Sequence, residues 1–224
     1  MVTLLIDADD TLWENIAVFN AVNAAYVEWI LPNTTMQEIQ SDLDALQVEF
    51  IEQHGYGRDT FQRSLIAGVE RFGGRPASES DIAYVAELLR PLRWESLDII
   101  PGVIDALAEL QHRRQLILVT KGDHHEQSHK VDRSGLRSHF EAIEILPEKT
   151  VDAYSGIVET HKLNPASTWM VGNSPRSDIL PALEAGIGAV HIPHAETWSH
   201  EHGDLVAHPR LLQLNHFAEL VRHF

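Results

Sequence analysis

Five short apolar runs are spaced along the chain, and each one ends in residues able to do chemistry or bend the backbone. They are Val2–Ile6, Leu116–Val119, Ala142–Ile145, Trp169–Val171 and Ala189–Ile192. Leu and β-branched residues dominate three of them, and helical patterns separate the later ones, which is the signature of buried parallel strands. Strand and helix in alternation predict an α/β fold built on a doubly wound, Rossmann-like parallel sheet. Ligands bind such sheets at the carboxyl ends of the strands, so the residues just past each run are the first place to look for function.

More than a hundred residues separate the first run from the second, far too many for one crossover. Apolar residues recur there at steps of three and four: Met36, Ile39, Leu43, Leu46 and Phe50, then Phe61, Leu65, Val69 and Phe72, then Ile82, Val85 and Leu89. That period is helical. Thr35 with Glu38 and Ser78 with Asp81 have the spacing of capping boxes, and Pro32, Gly55, Gly57, Gly73, Gly74 and Pro76 mark turns. The expected organisation is a catalytic core of residues 1–14 and 96–224 with an inserted α-helical cap of residues 15–95. Pro101-Gly102 restarts the core, with Val103, Leu107 and Leu110 on a helix feeding the second strand.

Charge narrows the choice of partner. Seventeen Lys and Arg stand against thirty-three Asp and Glu, a formal charge of −16. Such a surface repels polyphosphate backbones and anionic headgroups, so neither nucleic acid nor membrane is expected as a partner. The absence of cysteine removes disulfides, thiolate chemistry and zinc–cysteine sites. A strand at the N-terminus leaves no room for a secretory leader, and no apolar stretch is long enough to span a bilayer, so a cytoplasmic protein is expected.

The first run ends in Asp7-Ala8-Asp9-Asp10-Thr11-Leu12-Trp13. Three carboxylates in four residues repel one another, and a divalent cation relieves that cost; hard oxygen donors suit Mg²⁺. Strand alternation aims Asp7 and Asp9 the same way. One can then attack phosphorus while the other handles the leaving-group proton. A strand followed by an Asx-type turn explains the same acids without chemistry. At the end of the second run, Thr120-Lys121-Gly122 offers a hydroxyl and turn amides to phosphate oxygens. Lys149, just past the third run, has the charge to neutralise a carboxylate and a phosphoryl oxygen together. The fourth run ends in Gly172-Asn173-Ser174-Pro175-Arg176-Ser177-Asp178, a turn that supplies further oxygen ligands at a strand end.

Taken in order, these four segments resemble the motifs of the haloacid dehalogenase superfamily, in the phosphatase branch that carries a helical cap between the first and second motifs. The resemblance implies that Asp7 is a nucleophile forming an aspartyl-phosphate and Asp9 the general acid/base. It also implies that Thr120 is the phosphate-binding hydroxyl and Lys149 the lysine of the third motif, with Lys121 and Gly122 beside Thr120 at the substrate. Mg²⁺ would be held by the Asp7 side chain, the Asp9 backbone carbonyl and an acid of the fourth motif. Here the sequence departs from the family, whose fourth motif usually begins Gly-Asp-Ser: Asn173 stands in place of the first acid, so Asn173 and Asp178 are both candidate ligands. The implied activity is hydrolysis of a small phosphorylated metabolite.

Rival readings share the scaffold. A haloacid dehalogenase needs neither metal nor a second aspartate, and Asp9 argues against it. A phosphomutase keeps the same motifs. A binding module without turnover is suggested by Asn173. The fourteen histidines read as solvated surface residues, Trp13 as core, and Glu201 as an anchor for the C-terminal segment.

Overall fold

The computed structural model describes residues 2–224. Its chain divides into two compact units, residues 1–16 with 96–224 and residues 17–95.

The larger unit is built on a six-stranded sheet in the order β3-β2-β1-β4-β5-β6, every pairing parallel. Its strands are β1 (Thr3–Ile6), β2 (Gln115–Lys121), β3 (Ala142–Leu146), β4 (Thr168–Gly172), β5 (Gly188–His191) and β6 (Leu211–Gln213). The expected Rossmann-like sheet is therefore present, with one edge strand more than the apolar runs predict. β6 is only three residues, Leu211-Leu212-Gln213, none fully buried, and so short a run does not stand out as a strand.

Helices α5 (Val103–Leu110), α6 (His124–Ser134), α7 (Val151–Thr160) and α8 (Leu180–Glu184) make the crossovers. Alternation along β1 decides which layer each side chain joins. Leu4 and Ile6 pack with Val103, Leu107 and Leu110 of α5 and Val131 of α6. Leu5 faces the other way, with Ile117, Val119 and Met170, against Tyr154 and Ile157 of α7 and Ala182 of α8. All four residues of β1 are buried, as two-sided coverage of a parallel sheet requires. Winding runs from β1 through β2 to β3 on one side and continues at β4 on the other. The switch point therefore falls between β1 and β4, the place where such sheets hold ligands.

Four α-helices, α1 (Ile16–Ile30), α2 (Met36–His54), α3 (Arg58–Gly73) and α4 (Glu79–Leu88), and a short 3-10 turn at Arg90–Arg93 make up the smaller unit. Of the positions that the periodicity singles out, Ile39, Leu43, Leu46, Phe61, Leu65, Val69, Val85 and Leu89 are buried, whereas Ile82 is exposed. Both sequence caps form. Glu38 reaches back to the Thr35 N–H at 2.8 Å, while Ser78 N–H donates to Asp81 at 2.7 Å and Asp81 N–H to the Ser78 hydroxyl at 3.3 Å. Among the described residues no helix is long and apolar enough to cross a membrane.

Candidate active site

The first carboxylate is placed by β1. Asp7 N–H donates to the Val171 carbonyl at 2.9 Å, extending the β1–β4 pairing one residue past the strand. The chain then turns: Asp10 takes a positive φ of 61°, which Asp tolerates better than most residues, and its N–H donates to the Trp13 carbonyl at 2.8 Å. Asp10 Oδ1 accepts the N–H groups of Asn15 and Ile16, both at 2.9 Å, and so caps the start of α1. Of the three clustered acids, Asp10 thus has a local structural job.

Lys149 is buried and stands at the centre of the site. It stands immediately before α7, whose N-cap Thr150 accepts from Ala153 N–H at 3.2 Å. Its ammonium bonds to Asp7 Oδ1 and, at 2.7 Å, to Asp178 Oδ1. The other oxygen of Asp178 accepts from Ser174 N–H at 3.0 Å. Gly172 is required here by space: a Cβ on it would lie 2.7 Å from Asp178 Cβ. Asn173 is placed differently. Thr11 Oγ1 lies 3.1 Å from Asp7 Oδ2 and 3.3 Å from Asn173 Oδ1, so one hydroxyl brings those two oxygens to the same side of the site. Of the two candidate ligands in the fourth motif, Asn173 keeps its oxygen beside Asp7, whereas Asp178 spends both oxygens on Lys149 and the turn.

Electrostatics follow from this packing. Burial, and then the neighbouring Asp178, push the Asp7 carboxyl up to about 7 against the pull of Lys149. Burial also works against the Lys149 ammonium, but Asp178 and Asp7 outweigh it and hold the lysine above its ordinary value. One cation between two buried carboxylates leaves negative charge uncompensated. The Asp7 carboxylate and the Asn173 amide oxygen, which meet at the Thr11 hydroxyl, are hard oxygen donors of the kind that suit Mg²⁺.

Asp9 has a separate environment. Its Oδ1 accepts from Trp13 Nε1 at 2.7 Å and Lys130 Nζ at 2.9 Å; its Oδ2 accepts from Gln127 Nε2 and Lys130 Nζ, both at 3.0 Å. Burial alone would raise this carboxyl, yet Lys130, Gln127 and Trp13 together hold it below the ordinary carboxylate value. Thr120, at the end of β2, donates to Gln127 Oε1 at 3.2 Å. Trp13 is fully buried in the core, as the sequence suggests, and its indole N–H also serves Asp9.

Lys121 turns toward a third group. Its ammonium lies 2.6 Å from Glu201, 2.8 Å from Ser177 Oγ and 3.3 Å from Glu148. Glu201 also accepts from the Ser174 and Ser177 hydroxyls, each at 2.5 Å. The sequence reads Glu201 as an anchor for the C-terminal segment; its points of attachment are the second and fourth motif turns. Gly122, with a φ of 139°, leaves room for Gln127, whose Nε2 would be 3.1 Å from any Cβ there.

Sequence reasoning passes over Lys130, Gln127 and Thr11. Lys130 and Gln127 are three apart in a strongly polar helix, a spacing that puts them on one face, but nothing in composition says that this face is buried. Among the described residues, Asp10, Glu14 and His194 bring possible metal-ligand atoms within 4.8 Å of one another. Asp10 is already the α1 cap, and His194 Nε2 lies 3.0 Å from Glu14.

A buried aspartate just past an interior strand of a parallel sheet, bonded to a buried lysine, is thus the centre of the site. A family model described as haloacid dehalogenase-like hydrolase matches residues 1–186. The chain belongs to that family and is a hydrolase of its fold. Among solved structures it is similar to a haloacid dehalogenase-like family hydrolase from Xanthomonas campestris, with 27% identity and a TM-score of 0.86 over 100% of this chain and 90% of that one. A putative hydrolase of the family from Bacillus subtilis, bound to magnesium, shares the fold at 19% identity and a TM-score of 0.67, over 99% and 97% of the two chains. So does L-2-haloacid dehalogenase from Xanthobacter autotrophicus, at 18% identity and a TM-score of 0.66, over 99% and 98%. No curated protein matches the sequence. The neighbours thus include different chemistries, and the branch must be argued from the site.

Proposed function

We propose that the chain is a Mg²⁺-dependent phosphatase that hydrolyses a small phosphomonoester metabolite through an aspartyl-phosphate on Asp7. The observation that carries this reading is the pair of carboxylates two residues apart, Asp7 bonded to Lys149 and Asp9 held apart from it by Lys130, Gln127 and Trp13. Halide displacement by a carboxylate needs no proton donor, so a second positioned acid favours phosphate over the dehalogenase alternative.

In the first step an Asp7 carboxylate oxygen attacks phosphorus, the ester P–O bond breaks, and the leaving oxygen takes a proton from Asp9, which must enter this step protonated, against the pull of Lys130, Gln127 and Trp13. In the second, Asp9 takes a proton from water as the water oxygen attacks phosphorus, the P–O bond to Asp7 breaks, and inorganic phosphate leaves. Lys149 neutralises charge on Asp7 and on the phosphoryl oxygens throughout. Thr120, Lys121 and Gly122 are the proposed phosphate-side contacts, and Lys121 would have to share its ammonium with Glu201. Bound Mg²⁺, held by Asp7, the Asp9 carbonyl and Asn173, with Asp178 acting through Lys149, would lower the charge of the phosphoryl group and orient it. The proposed setting is cytoplasmic, and a net charge of −16 argues against nucleic acid or membrane as partner.

The test is release of phosphate from p-nitrophenyl phosphate with and without Mg²⁺, run beside halide release from 2-chloropropionate. Metal-dependent phosphate release with no halide release supports the reading. Halide release without metal would replace it with dehalogenation.

A further inference from the structure

We propose that Lys130 is a positioning residue that fixes the Asp9 carboxylate for proton transfer, with Gln127 as its helper. The inference rests on the phosphatase reading for its chemistry, and on geometry alone for its structural half.

Lysine is among the residues least often buried, because its ammonium must be paired when water is removed. Lys130 is 1% exposed. Its Nζ lies 2.9 and 3.0 Å from the two oxygens of Asp9 and 2.8 Å from Asn15 Oδ1. Burying an ammonium merely to hold α6 against the sheet would be served as well by a leucine. What the lysine does that a leucine cannot is bind both oxygens of one particular carboxylate, and that carboxylate is the proposed acid/base.

The rest of the clamp points the same way. Gln127, one turn before Lys130, gives its amide N–H to Asp9 Oδ2 while its carbonyl accepts from Thr120, so the amide is oriented from both ends. Trp13 adds an N–H from the turn that follows β1. Donors from α6 and from the β1 turn thus converge on two oxygens, leaving the carboxylate little rotational freedom. Small misplacements of a catalytic group cost rate steeply. The clamp therefore supplies preorganisation that Asp9, at the mouth of a loop, would lack.

The experiment compares wild type, Lys130→Met, Lys130→Arg, Gln127→Leu and Asp9→Asn on a series of aryl phosphates with graded leaving-group pKa, together with crystal structures of wild type and Lys130→Met. General acid–base help is worth ~10²–10⁴-fold, so Lys130→Met is expected to lose on the order of 10²-fold in kcat with KM unchanged. The loss should grow as the leaving group worsens. Lys130→Arg should recover part of it, and combining Lys130→Met with Asp9→Asn should cost little beyond Asp9→Asn alone. In the variant crystal the Asp9 carboxylate should leave its wild-type rotamer. If Lys130→Met does not fold, Gln127→Leu, which removes no buried charge, should show a smaller loss with the same leaving-group dependence. Wild-type kcat in both variants, or losses equal for all leaving groups and additive with Asp9→Asn, overturn the proposal. If wild type hydrolyses no aryl phosphate, the phosphatase reading fails by itself, and an Asp9 rotamer unmoved in Lys130→Met then overturns the positioning claim independently.

Discussion

Lys149 Nζ stands 2.7 Å from Asp178 Oδ1 while also pairing with Asp7. The acid that ends the fourth motif is thus tied to Asp7, the proposed nucleophile, through a lysine from the third. One cation organises residues that lie past β1, β3 and β4, and it does so inside the core, where exchange with water is not available to soften its loss.

Removing that cation leaves two buried carboxylates facing each other. Breaking a buried pair by deleting one partner costs about 3–5 kcal/mol. Lys149→Met is expected to fall in that range by urea denaturation near neutral pH and to have no measurable turnover. Adding Asp178→Asn should restore part of the stability and none of the activity. A Lys149→Met midpoint equal to wild type would show that the pair is not what holds these turns together.

Asn173 is the position where a change of one atom is most informative. Its Oδ1 shares the Thr11 hydroxyl with Asp7 Oδ2, so a carboxylate there adds a full negative charge beside the proposed metal ligand. Asn173→Asp is expected to lower the Mg²⁺ concentration needed for half-maximal activity. Turnover at saturating metal need not rise, since the added charge also repels the phosphate. An unchanged half-saturation point would remove Asn173 from the ligand set.

Glu201 predicts how the fold responds to acid. Burial raises its carboxyl, but Lys121 and the hydroxyls of Ser174 and Ser177 outweigh that and bring it from an ordinary 4.5 to about 2. A depressed folded value stabilises the protein fully above the unfolded value. The contribution is lost as pH falls from 4.5 toward 2. Each tenfold change in a protonation equilibrium is worth about 1.4 kcal/mol, so the contribution is on the order of 3–4 kcal/mol at most. Denaturation midpoints of Glu201→Gln should therefore fall less steeply than those of wild type across that window. Parallel curves would mean that Glu201 is not ionised against Lys121 in the fold.

Much of this was legible in the sequence, for identifiable reasons. The runs at Val2–Ile6 and Trp169–Val171 are buried on both faces, so composition alone exposes them. Ser78 and Asp81 advertise their cap because the three-residue spacing is the geometry itself. β6 was not legible, being a three-residue edge strand that lacks a fully buried side chain. Nor was the Asp9 clamp: Lys130 looks like any lysine in a polar helix until the helix is docked and its inward face becomes known. The division of labour between Asn173 and Asp178 depends on which oxygens Thr11 and Lys149 reach, and that is a matter of distances rather than residue types.

The claim on which the account turns is that Asp7 carries the phosphoryl group. Its most direct test is to mix enzyme and Mg²⁺ with a radiolabelled aryl phosphate, quench in acid within the first turnover, and locate the label by peptide mapping. The account predicts a hydroxylamine-sensitive acyl phosphate on the peptide containing Asp7, absent from Asp7→Asn. Label on another residue, or turnover undiminished in folded Asp7→Asn, would contradict it.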